Sequence, residues 1–132
     1  MKQQIAMLNI GIADFAEPTM LILGDAKSLS WLADLIGGQK SIRLDEKKEV
    51  VLNGGITLHL TPSPLSGRFT RSGNAFIWEI SAVEALKFVQ QLHELVASNS
   101  PAHAYLDSDF NFANVQVTAS MGEYDPCKIF TS

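Results

Sequence analysis

The chain has 132 residues, 46% of them apolar and 18% charged, with a mean hydropathy of +0.10; this excludes a disordered chain and suffices for one domain, residues 1–132, whose core needs no disulfide or metal staple. Ten Lys and Arg against fourteen Asp and Glu give a formal net charge of −4, an acidic field that argues against sequence-independent nucleic-acid binding. A single cysteine, Cys127, excludes an intramolecular disulfide and a multi-thiolate zinc site, and no apolar run approaches the roughly 18 to 20 residues of a membrane span. Residues 1–12 lack the basic start and apolar core of a signal peptide. The expectation is a cytoplasmic protein in a reducing compartment, without membrane association and without a cofactor.

In chain order, residues 2–12 carry a β-type pattern and Thr19–Leu23 is a short apolar run between Pro18 and Gly24, so both read as strands. Asp25 offers an N-cap, Leu29, Leu32, Ala33 and Ile36 recur on one helical face, and Gly37 with Gly38 stops that helix. Residues 41–45 read as a short strand and Val50–Leu52 as another. Asn53, Gly54 and Gly55, standing before the alternating Ile56, Leu58 and Leu60, predict a hairpin. Pro62, Pro64, Gly67 and Gly73 mark residues 61–74 as a loop, and residues 75–80 resume as a strand.

Ser81 with Glu84 three positions on forms a capping box that opens a second helix. Ala85, Phe88, Val89, Leu92, Leu95 and Val96 share its apolar stripe, and it ends near Asn99, ahead of Pro101. Ala102, Ala104 and Leu106 then alternate with His103, Tyr105 and Asp107, and residues 112–120 complete a late hairpin. Links too short for parallel crossovers predict an α+β fold, a largely antiparallel sheet with two helices packed on one face. A strand–strand–helix–strand order recurs around both helices, which suggests an internal duplication.

Period-two geometry puts an imidazole, a phenol and a carboxylate (His103, Tyr105, Asp107) on one strand face, able to converge on a ligand or partner. The ordinary alternative is a polar, solvent-facing strand. His103 and Asp107 supply two metal ligands where a stable site needs three or four, so no metal is expected. His93 borders the second helix's stripe and reads as a packing residue. Cys127 lies between Pro126 and Lys128 without a recognisable nucleophile elbow or helix N-terminus, and the chain has no G-x-S-x-G, phosphate loop or H-E-x-x-H. Arg68, Phe69 and Arg71 form a basic and aromatic patch that reads as a soluble hairpin connection rather than a base-stacking loop. Trp31 and Trp78 read as core or core-margin residues.

The segments LILGDAKSLSWLADLIG over residues 21–37, HAYLD over 103–107 and SMGEYD over 120–125 resemble a group of small bacterial immunity-type proteins encoded beside polymorphic toxins. Residues 41–74 take no part in the resemblance. It implies a non-enzymatic α+β protein that binds and blocks a cognate toxin, with His103, Tyr105, Asp107, Glu123 and Tyr124 at the matching positions.

Charge points the same way. Beyond Pro101 the chain carries Asp107, Asp109, Glu123 and Asp125 against Lys128, a negative surface suited to steering onto a basic protein, with Tyr105 and Tyr124 as anchors. The expected partner is therefore a basic toxin. Two other classes compete: a structural domain that forms a homodimer through a sheet face or edge, and a small enzyme or ligand-binding protein using the His103, Tyr105 and Asp107 face.

Overall fold

The computed structural model describes residues 7–98 and 100–130, so the start of the strand expected from residue 2 lies outside the described residues. Leu8–Ala13 (β1) and Thr19–Leu23 (β2) pair antiparallel, and Ala26–Gly37 (α1) follows. Ile42–Arg43 (β3) leads through a 3-10 turn, Leu44–Glu46, to Val50–Leu52 (β4) and Thr57–Ser63 (β5). Arg68–Ser72 (β6) and Ala75–Ser81 (β7) form a second antiparallel pair, followed by Ala82–Ala97 (α2). Ala102–Tyr105 (β8), Phe110–Asn111 (β9), Gln116–Met121 (β10) and a single turn of helix, Pro126–Ile129 (α3), are the last described elements.

The fold is α+β, but its strands form two mixed sheets rather than one largely antiparallel sheet. One has the order β4-β1-β2-β10-β8 and the other β3-β5-β7-β6-β9. Each combines antiparallel neighbours with parallel ones, β1 beside β4 and β2 beside β10 in the first, β5 beside β7 and β6 beside β9 in the second. The short links that seemed to forbid parallel pairing do not join the parallel partners directly. Between β5 and β7 the chain returns along β6, so a strand takes the place of a crossover helix.

The two sheets are built alike. The order β1–β2–α1–β3–β4–β5 is repeated by β6–β7–α2–β8–β9–β10. In each half the hairpin keeps that half's fourth strand, β4 or β9, alongside, in register Leu8↔Val50 and Arg68↔Phe110. The other two strands go to the opposite sheet, where they pair in register Ile42↔Leu60 and Ala102↔Met121. Neither sheet is complete without strands from both halves.

This exchange overturns the hairpin read at Asn53, Gly54 and Gly55. The Asn53 N–H bonds Ile10 O of the first sheet at 2.8 Å, and the Thr57 N–H bonds Asn74 O of the second at 2.9 Å. The loop read over residues 61–74 is likewise mostly strand. β3 flanks β5 only as far as Leu60, so Pro62 sits where that side has no neighbour requiring its N–H. Phe69 of the basic patch points into the core, while Arg68 and Arg71 stay exposed.

One apolar cluster joins the inner faces of both sheets, Ile10, Ile22, Leu58, Trp78 and Ala119 among them, to the stripes of α1 and α2. Trp78 is its aromatic centre, with Phe88 at 5.5 Å and Phe69 at 6.1 Å between ring centroids. Trp31 packs at the margin, whereas His93 is exposed and is no packing residue.

Both helices start where the cap residues dictate. Asp25 accepts the Ser28 N–H at 2.9 Å and Ser28 Oγ reciprocates at the Asp25 N–H; Ser81 and Glu84 do the same for α2. The Ser28 N–H holds the Asp25 carboxyl below its ordinary pKa, against the opposing effect of burial. Asp25→Ala should therefore cost about 1 kcal/mol at neutral pH. Because the folded pKa is the lower one, the charged cap's contribution is complete above the unfolded carboxyl's pKa and fades as pH falls through the folded value. Urea unfolding of the two proteins from pH 7 downward should show the gap narrowing; a gap constant with pH would contradict this account.

Candidate functional site

β8 is an edge strand of the first sheet. Its alternation turns Ala102 and Ala104 toward the core and His103 and Tyr105 outward, opposite Ser120 and Thr118 of β10. Beyond them on β2 lie the outward Leu21 and Leu23. This outer face is partly roofed by the chain's own end. Gly122, at φ +79°, turns the chain back across the sheet, and Ile129 and Phe130 pack on Ala13, Leu21 and Leu23. Gly11 makes room for that closure, since a Cβ there would stand 2.7 Å from the Phe130 ring.

Between the roof and β8 a set of polar contacts is fixed. Glu123 accepts the Ser120 hydroxyl at 2.6 Å and faces His103 Nδ1 at 3.0 Å, and His103 Nε2 stands 3.2 Å from the Tyr105 hydroxyl. An anionic carboxylate at Nδ1 calls for the proton there, leaving Nε2 of the neutral ring to accept from Tyr105. Burial opposes the charge on Glu123, but the Ser120 and His103 hydrogen bonds, with the attraction of His103 whenever its ring is charged, outweigh it and lower its pKa. The carboxylate is therefore held as an anion at neutral pH.

Tyr124 leans on Phe15, from the loop between β1 and β2, with ring centroids 5.8 Å apart and planes tilted by 40°. Phe15, Tyr124, Tyr105, His103 and Glu123 line an open cleft of about 170 Å³ floored by Thr118 and Leu21. That volume is well below the roughly 300–1,000 Å³ of small-molecule sites. It suits the end of one side chain.

Of the residues singled out in the sequence, His103, Tyr105, Glu123 and Tyr124 come together here. Asp107 is exposed just past β8. Asp125 is adjacent but spent on α3, where it accepts the Cys127 N–H at 2.9 Å. Asp109 belongs elsewhere: its N–H donates to Glu84 Oε2 at 2.8 Å and its carboxylate faces the Gly67 N–H, where the chain enters the second sheet. His59 lies on β5 beside Ser41 and His93 on α2, so the three histidines do not converge. Phe15 belongs to no motif in the sequence; its one signal there is an aromatic residue inside an acidic turn, between Asp14 and Glu17.

Among the described residues no group of three His, Cys, Asp or Glu side chains is placed to hold a metal, and no helix is long and apolar enough to cross a membrane. No family model, no curated protein and no solved structure matches the chain.

Proposed function

We propose that the protein is a non-enzymatic binding module of the immunity type, which holds and neutralises a basic toxin in the cytoplasm of the cell that makes both. The observation that carries this reading is the open outer face of the first sheet, where Phe15, Tyr105 and Tyr124 are 37%, 48% and 40% exposed around the charged Glu123. Half-exposed aromatics held by neighbours are the side chains that dominate interface energetics. The carboxylates of Asp14, Glu17, Asp107 and Glu123 in the surrounding segments favour a basic partner and speed its approach.

The test is affinity capture of the tagged protein from its host at low and moderate salt, followed by titration of the captured basic protein. Truncating both Tyr105 and Tyr124 to Ala should weaken binding at least about thirtyfold, the equivalent of one hot spot of about 2 kcal/mol. Unchanged affinity with an unchanged circular dichroism spectrum would remove this face from the interface.

A homodimer is the second reading, and a separate surface favours it. Leu65, Val83 and Leu86 are 86%, 78% and 74% exposed, and Leu65 and Val83 share one cleft beside Pro62 and Pro64. A two-fold contact would cover this apolar patch with its own copy. If so, sedimentation should give a dimer that Val83→Lys with Leu86→Lys converts to monomer; a wild-type monomer at all concentrations disposes of this reading.

A further inference from the structure

The cleft between Phe15, Tyr105 and Tyr124 is too small for a metabolite, yet its walls are specific. Two aromatic rings meet at an open angle on one side and a third ring stands on β8. Aromatic faces carry negative potential and attract a cation placed over them. At the rim, Glu123 Oε1 is occupied by Ser120 and also faces His103 at 3.1 Å, while among the described residues Oε2 has only the His103 contact at 3.0 Å. A carboxylate oxygen offers two lone pairs, so Oε2 retains one for a further donor. Tyr105, Thr118 and Gln116 add further oxygen acceptors around the same cavity.

We infer that this cleft is a cage for an arginine side chain, its guanidinium lying against Phe15, Tyr105 and Tyr124 with Glu123 as the counter-charge. Arginine fits better than lysine because its planar head stacks on rings and spreads five donors. Those donors match acceptors that are dispersed around the cleft. The ligand is thus one exposed arginine of a protein partner. The inference rests on the reading that this face is the binding surface, and its probe works without the partner.

The probe is N-acetyl-arginine amide, with N-acetyl-citrulline amide as its neutral counterpart of the same shape, titrated into the full chain and followed by NMR. Arginine amide should saturate shifts of Phe15, Tyr105, His103 and Tyr124 at about millimolar concentration, as befits a contact worth about −4 kcal/mol. Citrulline amide should bind at least about tenfold more weakly, and Glu123→Gln should erase that preference while Phe15→Leu, which keeps an apolar wall without the ring, weakens arginine severalfold. Phe15 is in an exposed loop, so its variant tests the ring without disturbing the core. Equal binding of the two amides, or no shift at these residues, overturns the inference. Arginine binding to a protein that captures no partner from its host would uphold the cage and sink the immunity reading. A captured partner whose affinity ignores both Phe15→Leu and Glu123→Gln would do the reverse.

Discussion

Replacing Glu84 with alanine is expected to lower the free energy of unfolding by about 3 kcal/mol, a large share of the total for a domain of this size. The side chain is 4% exposed and joins two parts of the fold that are distant in sequence. Oε1 accepts the Ser81 N–H at 3.1 Å, completing the cap of α2, and Oε2 accepts the Asp109 N–H at 2.8 Å. Alanine leaves the buried Ser81 N–H and the part-buried Asp109 N–H without that partner, and each buried loss of this kind costs about 1–3 kcal/mol, the Asp109 donor lying at the low end because water can reach its surroundings.

Gly67 provides the cross-check. A Cβ at that position would overlap the Glu84 carboxylate, so Gly67→Ala should destabilise by displacing it from the same two donors. Once Glu84 is alanine, that space is empty. The double variant should then cost clearly less than the two single costs together, the mark of residues acting through one contact. Urea unfolding of the four proteins measures this directly, and simple additivity would show that the two positions act separately.

The same region explains what the sequence reveals and what it conceals. Caps and alternation are local: Asp25 as an N-cap, Ser81 with Glu84, and Ala102 and Ala104 alternating with His103 and Tyr105 all require only neighbouring residues and are read directly from the chain, while the return bond from Ser28 to Asp25 comes from the structure. Partnership between strands is not local. Leu106 still bonds Val117 of the first sheet through its N–H, but Ser108 accepts from the indole N–H of Trp78 and Asp109 is held by Glu84, both tied to the second. The residues around Asp109 read as a simple polar turn between two strands, and nothing in that stretch announces that it dips into another sheet. Hence sequence proximity groups Asp109 with Asp107 although the chain has left that face.

The site follows the same division. Tyr105 and His103 are legible from period two, and Glu123 and Tyr124 from a short motif. Their meeting depends on the turn at Gly122 and on Phe130 lying against Gly11, a closure between residues far apart in the chain. Phe15 joins them only through that closure, because the same roof that covers Leu21 and Leu23 brings Tyr124 to its ring.

Changing Gly54 and Gly55 together to valine is expected to destabilise by about 2–4 kcal/mol, because each would hold a β-branched residue in the left-handed region, at about 1–2 kcal/mol apiece. Their φ angles are +78° and +73°, the signs that a tight type I′ hairpin turn also requires. The Asn-Gly-Gly stretch thus has the backbone signs of a hairpin turn but a different destination. Here it carries the chain from β4, at the edge of the first sheet, to β5, inside the second. Among the described residues, no atom beyond the adjoining residues lies within 4 Å of where either Cβ would be, so the cost is one of backbone geometry rather than of a packing clash. Asparagine tolerates the left-handed region, so Gly54→Asn with Gly55→Asn should recover much of the loss. Thermal unfolding that ranks valine well below asparagine, and asparagine a little below wild type, would confirm that this passage between sheets is held by backbone conformation; equal losses for the two pairs would show that something other than φ governs it.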